Sequence, residues 1–229
     1  MPREKKSQAS PILPVHRSHK EARQLYDRIS SLYDLVAGAF ERKHADTGLE
    51  RLSIQSGETV LEIGFGPGYC LQRIAQSVGA KGRACGIDIS PGMLQVARRR
   101  LEKAGLTDRV GLFWGDAVKL PYREDNFNAV FISFALELFD NAEIPQVLGE
   151  AKRVLKPEGR LGIVSMSRDY GEPVILRLYE WAHNRWPKYL DCRPISVERS
   201  LADAGYEIQS REMARLIGLP LEIVVASKG

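Results

Sequence analysis

Between residues 58 and 166, short apolar runs alternate with segments whose apolar residues recur at helical spacing. The run from Thr59 to Ile63 is rich in β-branched residues, which is typical of a buried strand. In the segment that follows, the pattern i, i+3, i+4 and i+7 is filled by Leu71, Ile74, Ala75 and Val78. Short connections between such strands and helices favour a parallel sheet with right-handed crossovers. The pattern therefore predicts an α/β domain with a doubly wound sheet.

The N-terminal part has a different pattern. Residues 1–15 are rich in Pro, Lys and Ser, which predicts a disordered tail. From residue 16 to about 55 the apolar positions step by three or four, which predicts a helical cap. Two interpretations of this cap remain open: helices that simply cover the sheet, or a lid over a ligand with Tyr26-Asp27 and Tyr33-Asp34 as its polar residues.

The C-terminal part, residues 167–229, is less regular, and we expect it to lie on the substrate side. Its last segments, Tyr206 to Arg215 and Leu219 to Ser227, are predicted to be two strands joined around Gly218. They would add to the sheet in antiparallel orientation. Residues 16–229 are thus expected to form one domain, with residues 58–166 as its central part.

Two local predictions concern the middle of the chain. Asn141 is expected to cap the helix that carries Ile144, Val147 and Leu148. The sequence from Lys156 to Gly159 is predicted to be a turn before a strand that covers Leu161 to Met166.

Composition narrows the function classes. The 229 residues carry a net charge of +4, with basic residues concentrated near the start, which favours an anionic membrane surface or an acidic ligand. Basic residues elsewhere are mixed with acids, so we expect no nucleic-acid partner. Three cysteines without C-x-x-C spacing and four histidines without an H-E-x-x-H motif predict no disulfide framework and no metal site. We expect a cytoplasmic protein that meets a membrane, if at all, peripherally at its inner face.

The first strand runs into three alternating glycines, Gly64, Gly66 and Gly68. Glycines at a strand end let the backbone approach a nucleotide-like ligand, although a purely structural tight turn is the alternative. Tyr69 stands where the dinucleotide motif G-x-G-x-x-G needs its last glycine, which disfavours a nicotinamide oxidoreductase. Glu62 precedes the loop, and its carboxylate would favour an ammonium or sulfonium group over a pyrophosphate.

Acids also follow the next two predicted strands. Asp88 lies about 20 residues beyond the last glycine, where a carboxylate can accept from both ribose hydroxyls of an adenosine. Asp116 follows the third strand, where it could accept from the exocyclic amine of adenine. For both residues the alternative is a solvated turn at a strand end.

These features together resemble the class I S-adenosylmethionine-dependent methyltransferases. The resemblance covers residues 58–166 and rests on the glycine loop with Glu62, on Asp88, on Gly115-Asp116-Ala117, and on the sequence from Leu155 to Gly159. It implies a seven-stranded, mostly parallel Rossmann-like sheet with a reversed last hairpin, and S-adenosylmethionine as cofactor. The cofactor-binding residues it implies are Glu62, Gly64, Phe65, Gly66, Gly68, Asp88, Ile89, Met93, Asp116, Ala117, Ser133 and Phe134.

Within that class, the sequence Ile132-Ser133-Phe134-Ala135-Leu136 resembles the ubiquinone/menaquinone biosynthesis C-methyltransferases. Glu137 stands where that branch carries an arginine. The predicted catalytic residues are Glu137 and His183 as candidate bases, with Tyr33 as an orienting group. A packed or surface histidine is the alternative for His183.

The sequence therefore predicts a methyltransferase that acts on a small or lipophilic acceptor. A prenylated quinol ring carbon and an amine such as a phospholipid headgroup both remain open as acceptors. A non-catalytic module that binds an adenosine ligand is the competing class. A homodimer also remains open.

Overall fold

The computed structural model describes residues 38–169, 193–216 and 218–229. Its helices and strands are α1 (Gly38–Leu52), β1 (Thr59–Ile63), α2 (Tyr69–Val78), β2 (Arg83–Asp88), α3 (Pro91–Lys103), β3 (Val110–Trp114), β4 (Phe127–Ser133), α4 (Ile144–Val154), β5 (Leu155–Met166), α5 (Val197–Asp203), β6 (Tyr206–Leu216) and β7 (Leu219–Lys228). Short 3-10 turns cover Thr107–Arg109 and Leu136–Leu138.

The strands form a seven-stranded sheet in the order β3-β2-β1-β4-β5-β7-β6. Strands β1 to β5 pair in parallel, and β7 is antiparallel to both β5 and β6. The predicted doubly wound sheet and its reversed C-terminal hairpin are confirmed. Because β1 lies between β2 and β4, the chain reverses direction across the sheet at β1, and ligands of such sheets bind at the carboxyl ends beside that point.

Helices cover both faces of the sheet because successive strand residues point to opposite sides. On one side Val60 packs with residues of α1, α2 and α3, and on the other Leu61 and Ile63 pack with residues of α4 and α5. The apolar stripe predicted for α2 is fully buried at all four positions. Burying both faces holds the carboxyl ends of the central strands in fixed positions.

Helix α1 is the described part of the predicted N-terminal cap. It packs on β5 and β7, and it approaches the sheet so closely that a Cβ atom at Gly48 would lie 2.5 Å from Val164 Cγ2. This part of the cap is therefore a helix packed on the sheet. Tyr26-Asp27, Tyr33-Asp34 and the predicted tail lie outside the described residues, so the lid and the domain bounds stay predictions.

The predicted turn from Lys156 to Gly159 is instead part of β5. Phe127 pairs with Leu155 and Ala129 pairs with Arg160, so a two-residue step on β4 faces a five-residue step on β5. The polar, Pro-containing segment therefore forms a bulge inside a strand that begins at Leu155, not at Leu161.

The predicted cap at Asn141 was wrong. Helix α4 begins at Ile144, with Glu143 as its N-cap residue and a proline in its first turn. Pro145 lacks an N–H and has a fixed φ, so it fits only where the backbone N–H needs no helical partner, and this fixes the start of the helix. Asn141 Oδ1 instead accepts a hydrogen bond from Arg193 Nη1 at 2.6 Å.

Candidate active site

The glycine loop connects β1 to α2, and its glycines serve different purposes. Gly64 (φ 72°) donates its N–H to Ile87 O at 2.8 Å, and a Cβ there would lie 2.5 Å from the Cβ of Ala135. Gly66 (φ 50°) has no atom within 4 Å of its would-be Cβ. Gly64 is therefore required by packing, whereas Gly66 leaves open space in which a ligand can approach the backbone.

Phe65 and Gly68 fix this loop to the rest of the fold. The ring of Phe65 is buried against β2, where a Cβ on Gly86 would lie 2.7 Å from its Cδ1 atom. Gly68 (φ 81°) is the N-cap residue of α2, and a Cβ there would lie 2.8 Å from the Cβ of Ala97. The loop is thus held by core contacts on one side, with Gly66 between them.

Asp88, at the end of β2, joins the loop to α3. Its Oδ2 accepts from Gly66 N and its Oδ1 from Ser90 N, both at 2.8 Å. Ser90 Oγ in turn accepts from Met93 N at 3.1 Å, which makes Ser90 the N-cap residue of α3. The sequence suggested a ligand contact for Asp88, with a solvated turn as the alternative, and the spacing gave no signal of its bond to the loop.

Glu62 lies on β1 directly below the loop and is buried. Its Oε2 has no hydrogen-bond partner among the described residues. Burial, and then the charge of Asp88, raises the pKa of the Glu62 carboxyl well above its usual range. A buried acceptor without a donor is costly, so this oxygen and the open space at Gly66 fit a ligand that carries a cationic donor.

Trp114 at the end of β3 was missed by sequence reasoning. Its Nε1 donates to Ile89 O at 2.9 Å, although the residue is 52% exposed. Trp114 pairs with Asp88 in the β2–β3 register, which carries its indole to Ile89, the residue after Asp88. An aromatic residue at the end of the third predicted strand was the available signal.

Three further predicted cofactor residues are placed at this end of the sheet. Asp116 Oδ1 accepts from Val118 N at 3.1 Å, which makes Asp116 a turn residue whether or not it also meets a ligand. The side chains of Ala117 and Met93 are buried. Asp116 and Ala117 thus follow β3, and Met93 lies in the first turn of α3.

On the other side of the loop, Ser133 ends β4 and Phe134 follows it. Phe134 has φ 51°, a strained conformation for a non-glycine residue, and its N–H donates to Val164 O at 2.8 Å. Its ring is buried. Strained residues that the surrounding structure holds in place cluster at functional sites, and the role of Phe134 beside the methyl donor stays a prediction.

Glu137 lies in the 3-10 turn after β4 and is fully buried. Ser165 Oγ donates to its Oε2 at 2.9 Å, and Met166 N approaches its Oε1 at 3.4 Å. Burial raises the pKa of Glu137 to about 7, against the opposing effect of these hydrogen bonds and of the Arg193 charge. His183 and Tyr33, the other predicted catalytic residues, lie outside the described residues.

Three buried polar residues near Glu137 were also missed. Arg193 donates to Asn141 Oδ1 and to Phe139 O, and Ser167 Oγ donates to Glu222 Oε1. The signal for Glu222 was an acid inside the apolar run of the last strand, at Leu221-Glu222-Ile223.

The described ranges, residues 38–169, 193–216 and 218–229, also bear on metal and membrane binding. There, no three His, Cys, Asp or Glu side chains come together as a metal site. No helix within the same ranges has the length and apolar character of a membrane span.

Comparison with known proteins identifies the class of this site. Residues 60–159 match the family described as "Methyltransferase domain". Demethylmenaquinone methyltransferase of Symbiobacterium thermophilum is 29% identical over 212 residues, which cover 86% of this chain and 83% of the relative. The ubiquinone/menaquinone biosynthesis C-methyltransferase of Ectopseudomonas mendocina is 30% identical over 73% of this chain and 66% of its own length.

Solved structures agree in fold. The cyclase SpnF aligns with a TM-score of 0.75 at 23% identity, covering 96% of this chain and 98% of its own. An S-adenosylmethionine-dependent methyltransferase from Aquifex aeolicus aligns with a TM-score of 0.61 at 23% identity, covering 93% of this chain and 100% of its own. With a methyltransferase domain on a Rossmann-like seven-stranded sheet and methyltransferases as its relatives, this chain is a class I methyltransferase that uses S-adenosylmethionine.

Proposed function

We propose that this enzyme methylates a ring carbon of a prenylated quinol. The observation that carries the proposal is the similarity to a demethylmenaquinone methyltransferase over 86% of the chain and to a ubiquinone/menaquinone biosynthesis C-methyltransferase over 73%, which extends beyond the cofactor-binding segment. Around the ends of β4 and β5, buried apolar side chains such as Phe134, Leu136 and Met166 lie beside a group of buried polar ones, in keeping with a lipophilic acceptor that has a polar head.

In this proposal the cofactor residues divide by chemistry. Glu62 accepts from the ammonium of the methionine moiety, and Gly66 lets that moiety approach the loop. Asp88 accepts from the ribose hydroxyls, and Asp116 accepts from the adenine amine. Ile89, Met93 and Ala117 pack around the base, and Ser133 and Phe134 lie beside the methyl donor.

When bound, S-adenosylmethionine supplies an electrophilic methyl group on a positively charged sulfur. The protein's task is then to align the acceptor carbon with that methyl group and to exclude water. The bond between the ring carbon and the methyl group forms as the sulfur–methyl bond breaks, and the ring then loses its proton. Removing the phenol proton first makes the ring carbon more nucleophilic.

Glu137 is the proposed proton acceptor. A base near neutral pKa is suited to this step, and burial raises the pKa of Glu137 to about 7. Glu137 and Ser165 are both fully buried, and the Ser165 hydroxyl donates to the carboxylate, so the proton is proposed to reach Glu137 through this hydrogen bond. His183 and Tyr33 remain proposed as a second base and an orienting group.

The proposal is tested with the full-length protein, labelled methyl donor and a prenylated hydroquinone in detergent micelles. The expected product is the ring-methylated quinone, identified by its mass and by the position of the label on carbon. The oxidised quinone is the control, because it has no phenol proton to lose and should not react.

The alternative acceptor, an amine, is tested in the same assay with phosphatidylethanolamine micelles. Glu137 favours this alternative in one respect, since a carboxylate attracts a cation where the similar quinone branch carries an arginine. Label on nitrogen with an unreacted hydroquinone would replace the quinol proposal by the amine one. Ligand binding without transfer to either acceptor would favour a binding module.

A further inference from the structure

A group of buried polar side chains lies where β5 ends, on the acceptor side. Glu222 on β7 pairs with Ser165 on β5, and directly opposed residues of antiparallel strands point to the same face of the sheet. Ser165 donates to Glu137, and Ser167 donates to Glu222. These four residues, Glu137, Ser165, Ser167 and Glu222, form one group, which we call the β5-end polar group.

Within this group the two oxygens of Glu222 have different surroundings. Oε1 accepts from Ser167 Oγ and lies 3.3 Å from Arg211 Nη2. Oε2 is buried and has no hydrogen-bond partner among the described residues. A carboxylate with a purely structural role would be expected to use both oxygens, because a buried acceptor without a donor destabilises the fold.

The same arrangement occurs at Glu62. In the described part of the chain, Glu62 and Glu222 are the two glutamates whose buried Oε2 accepts no hydrogen bond. Burial raises the pKa of both carboxyls. Glu62 lies on the cofactor side of the carboxyl edge, at the glycine loop, and Glu222 lies on the other side, beyond β5. Two such oxygens at one edge suggest two ligands, each bringing its own donor.

The surroundings of Glu222 suit an amphipathic ligand. On the same face, Ile163 and Val224 are buried next to Ser165 and Glu222 along their strands. An apolar wall with one or two convergent polar groups is typical of sites that orient a small molecule by its polar end.

From these observations we propose that Glu222 is a substrate-specificity residue that binds the hydrogen-bond-donating group of the methyl acceptor. The proposal rests on the proposed function for the identity of the acceptor. The shared chemistry is a donor, either the hydroxyl of a hydroquinone or the ammonium of an amine. Glu222 accepts from it through Oε2 while Ser167 and Arg211 hold Oε1.

The test measures binding to full-length protein that is saturated with S-adenosylhomocysteine. The probes are a short-chain prenylated hydroquinone, its dimethyl ether and a phosphoethanolamine lipid in micelles. In E222Q, which keeps the size of the side chain, the donor-bearing probe that binds wild-type protein is expected to bind about 10-fold more weakly. The dimethyl ether, which has no donor, should bind both proteins equally.

S167A is the matched control, because it removes a partner of Oε1 and leaves Oε2 unchanged. It should alter probe binding less than E222Q does. Neither variant should change the affinity for S-adenosylhomocysteine. If E222Q fails to bind S-adenosylhomocysteine, E222D replaces it, since it keeps the charge but withdraws both oxygens by one methylene.

Equal probe binding by wild-type and Glu222 variants overturns this inference, and so does the failure of every donor-bearing probe to bind wild-type protein. The proposed function fails separately. A hydroquinone that binds in a Glu222-dependent way without being methylated removes the function and leaves the inference. A hydroquinone that is methylated with the same KM by wild-type protein and by E222Q removes the inference and leaves the proposed function.

Discussion

The two sides of the carboxyl edge use their acidic residues differently. On the cofactor side, the aspartates accept hydrogen bonds from backbone N–H groups. Asp116 accepts from the loop after its own strand, and Asp88 accepts both from the loop after its own strand and from the loop after the neighbouring strand β1. On the acceptor side, Glu137 and Glu222 are held by serine side chains 28 and 55 residues away in the chain. The cofactor side is thus built from local motifs, and the acceptor side from side chains that only the folded sheet brings together.

This difference explains how one fold can serve several acceptors. A backbone-held loop keeps its shape when neighbouring side chains change, whereas the β5-end polar group can be altered one side chain at a time. The cyclase SpnF and a methyltransferase share this fold at 23% identity to the present chain, which agrees with function residing in such sites.

The largest expected effect comes from the contact that joins the two sides, at Gly64. The methyl group that G64A adds would lie 2.5 Å from the Cβ of Ala135, at a residue with φ 72°. We expect a loss of about 3–5 kcal/mol in the free energy of unfolding, from backbone strain and overpacking together. Denaturant unfolding measures it.

G66A is its control within the same loop. Gly66 also has positive φ, but no atom lies within 4 Å of its would-be Cβ. The strain alone should cost about 1 kcal/mol, while S-adenosylhomocysteine affinity should fall strongly because the methyl group fills the ligand's space. Equal stability of G64A and G66A would contradict the role assigned to Ala135.

The next effect concerns Glu137 and is a dependence of stability on pH. Its pKa is raised from 4.5 to about 7, so the folded state holds a proton that the unfolded state releases. The contribution of Glu137 to stability is therefore greatest below pH 4.5 and is lost as pH rises through 7. The loss is about 3 kcal/mol, since each pKa unit corresponds to about 1.36 kcal/mol. E137Q should remove this decline, as measured by unfolding at several pH values.

Glu150 provides a control of opposite sign. Its hydrogen bond with Arg153 lowers the pKa of the Glu150 carboxyl, so its contribution is present above pH 4.5 and is lost as pH falls. E150Q should leave the decline between pH 4.5 and 7 in place. In the methylation assay, E137Q should also lose the rise of kcat through pH 7 that a base produces.

A smaller effect is expected at Glu62, on the cofactor side. E62Q should weaken S-adenosylhomocysteine binding by about 10- to 100-fold, because a hydrogen bond to a charged group contributes about 1.5–3 kcal/mol. Isothermal titration measures it. Since this ligand keeps the ammonium and lacks the sulfonium, a loss of this size identifies the ammonium as the partner of Glu62.

E58Q is the matched variant for Glu62. Glu58 precedes β1 and pairs with Arg160 at 2.8 Å, away from the loop. The E58Q variant should bind S-adenosylhomocysteine as tightly as the wild-type protein does. If E62Q binds S-adenosylhomocysteine as tightly as the wild-type protein, the buried Oε2 of Glu62 accepts its hydrogen bond from water and not from the ligand.

The smallest effect is expected at Trp114. W114F removes the hydrogen-bond donor to Ile89 O and keeps an aromatic ring. Because one hydrogen bond contributes about 1 kcal/mol, the affinity for S-adenosylhomocysteine should fall about 5-fold. F113L is the control, because Phe113 is 45% exposed on the same edge strand. Equal titration curves for wild-type protein and W114F would show that Trp114 does not contribute to cofactor binding.

The sequence predicted the α/β sheet with its reversed hairpin, and it singled out the glycine loop, because these depend on local patterns. The glycine loop, the N-cap at Ser90 and the acid after each strand follow from residue types at short spacing. The reversed hairpin also followed from two strand patterns around one glycine.

The acceptor side could not be predicted in this way, because its contacts depend on register. Asn141 contacts Arg193 only because α4 begins after it, and Glu222 meets Ser167 only because β7 lies beside β5. No spacing along the chain encodes either pair. Glu137 could be singled out by resemblance, but its burial and its Ser165 partner could not.

The placement of β7 between β5 and β6 also has a consequence for the order of folding events. Among the described strands, β6 pairs with β7 alone, so it has no place in the sheet until β7 is present. The β6–β7 hairpin closes over a short stretch of chain and can form within microseconds, whereas its docking on β5 joins residues far apart in sequence. We expect the hairpin to form first and to dock as a unit, and the β5-end polar group, which includes Glu222, to be completed only by that late, slower step.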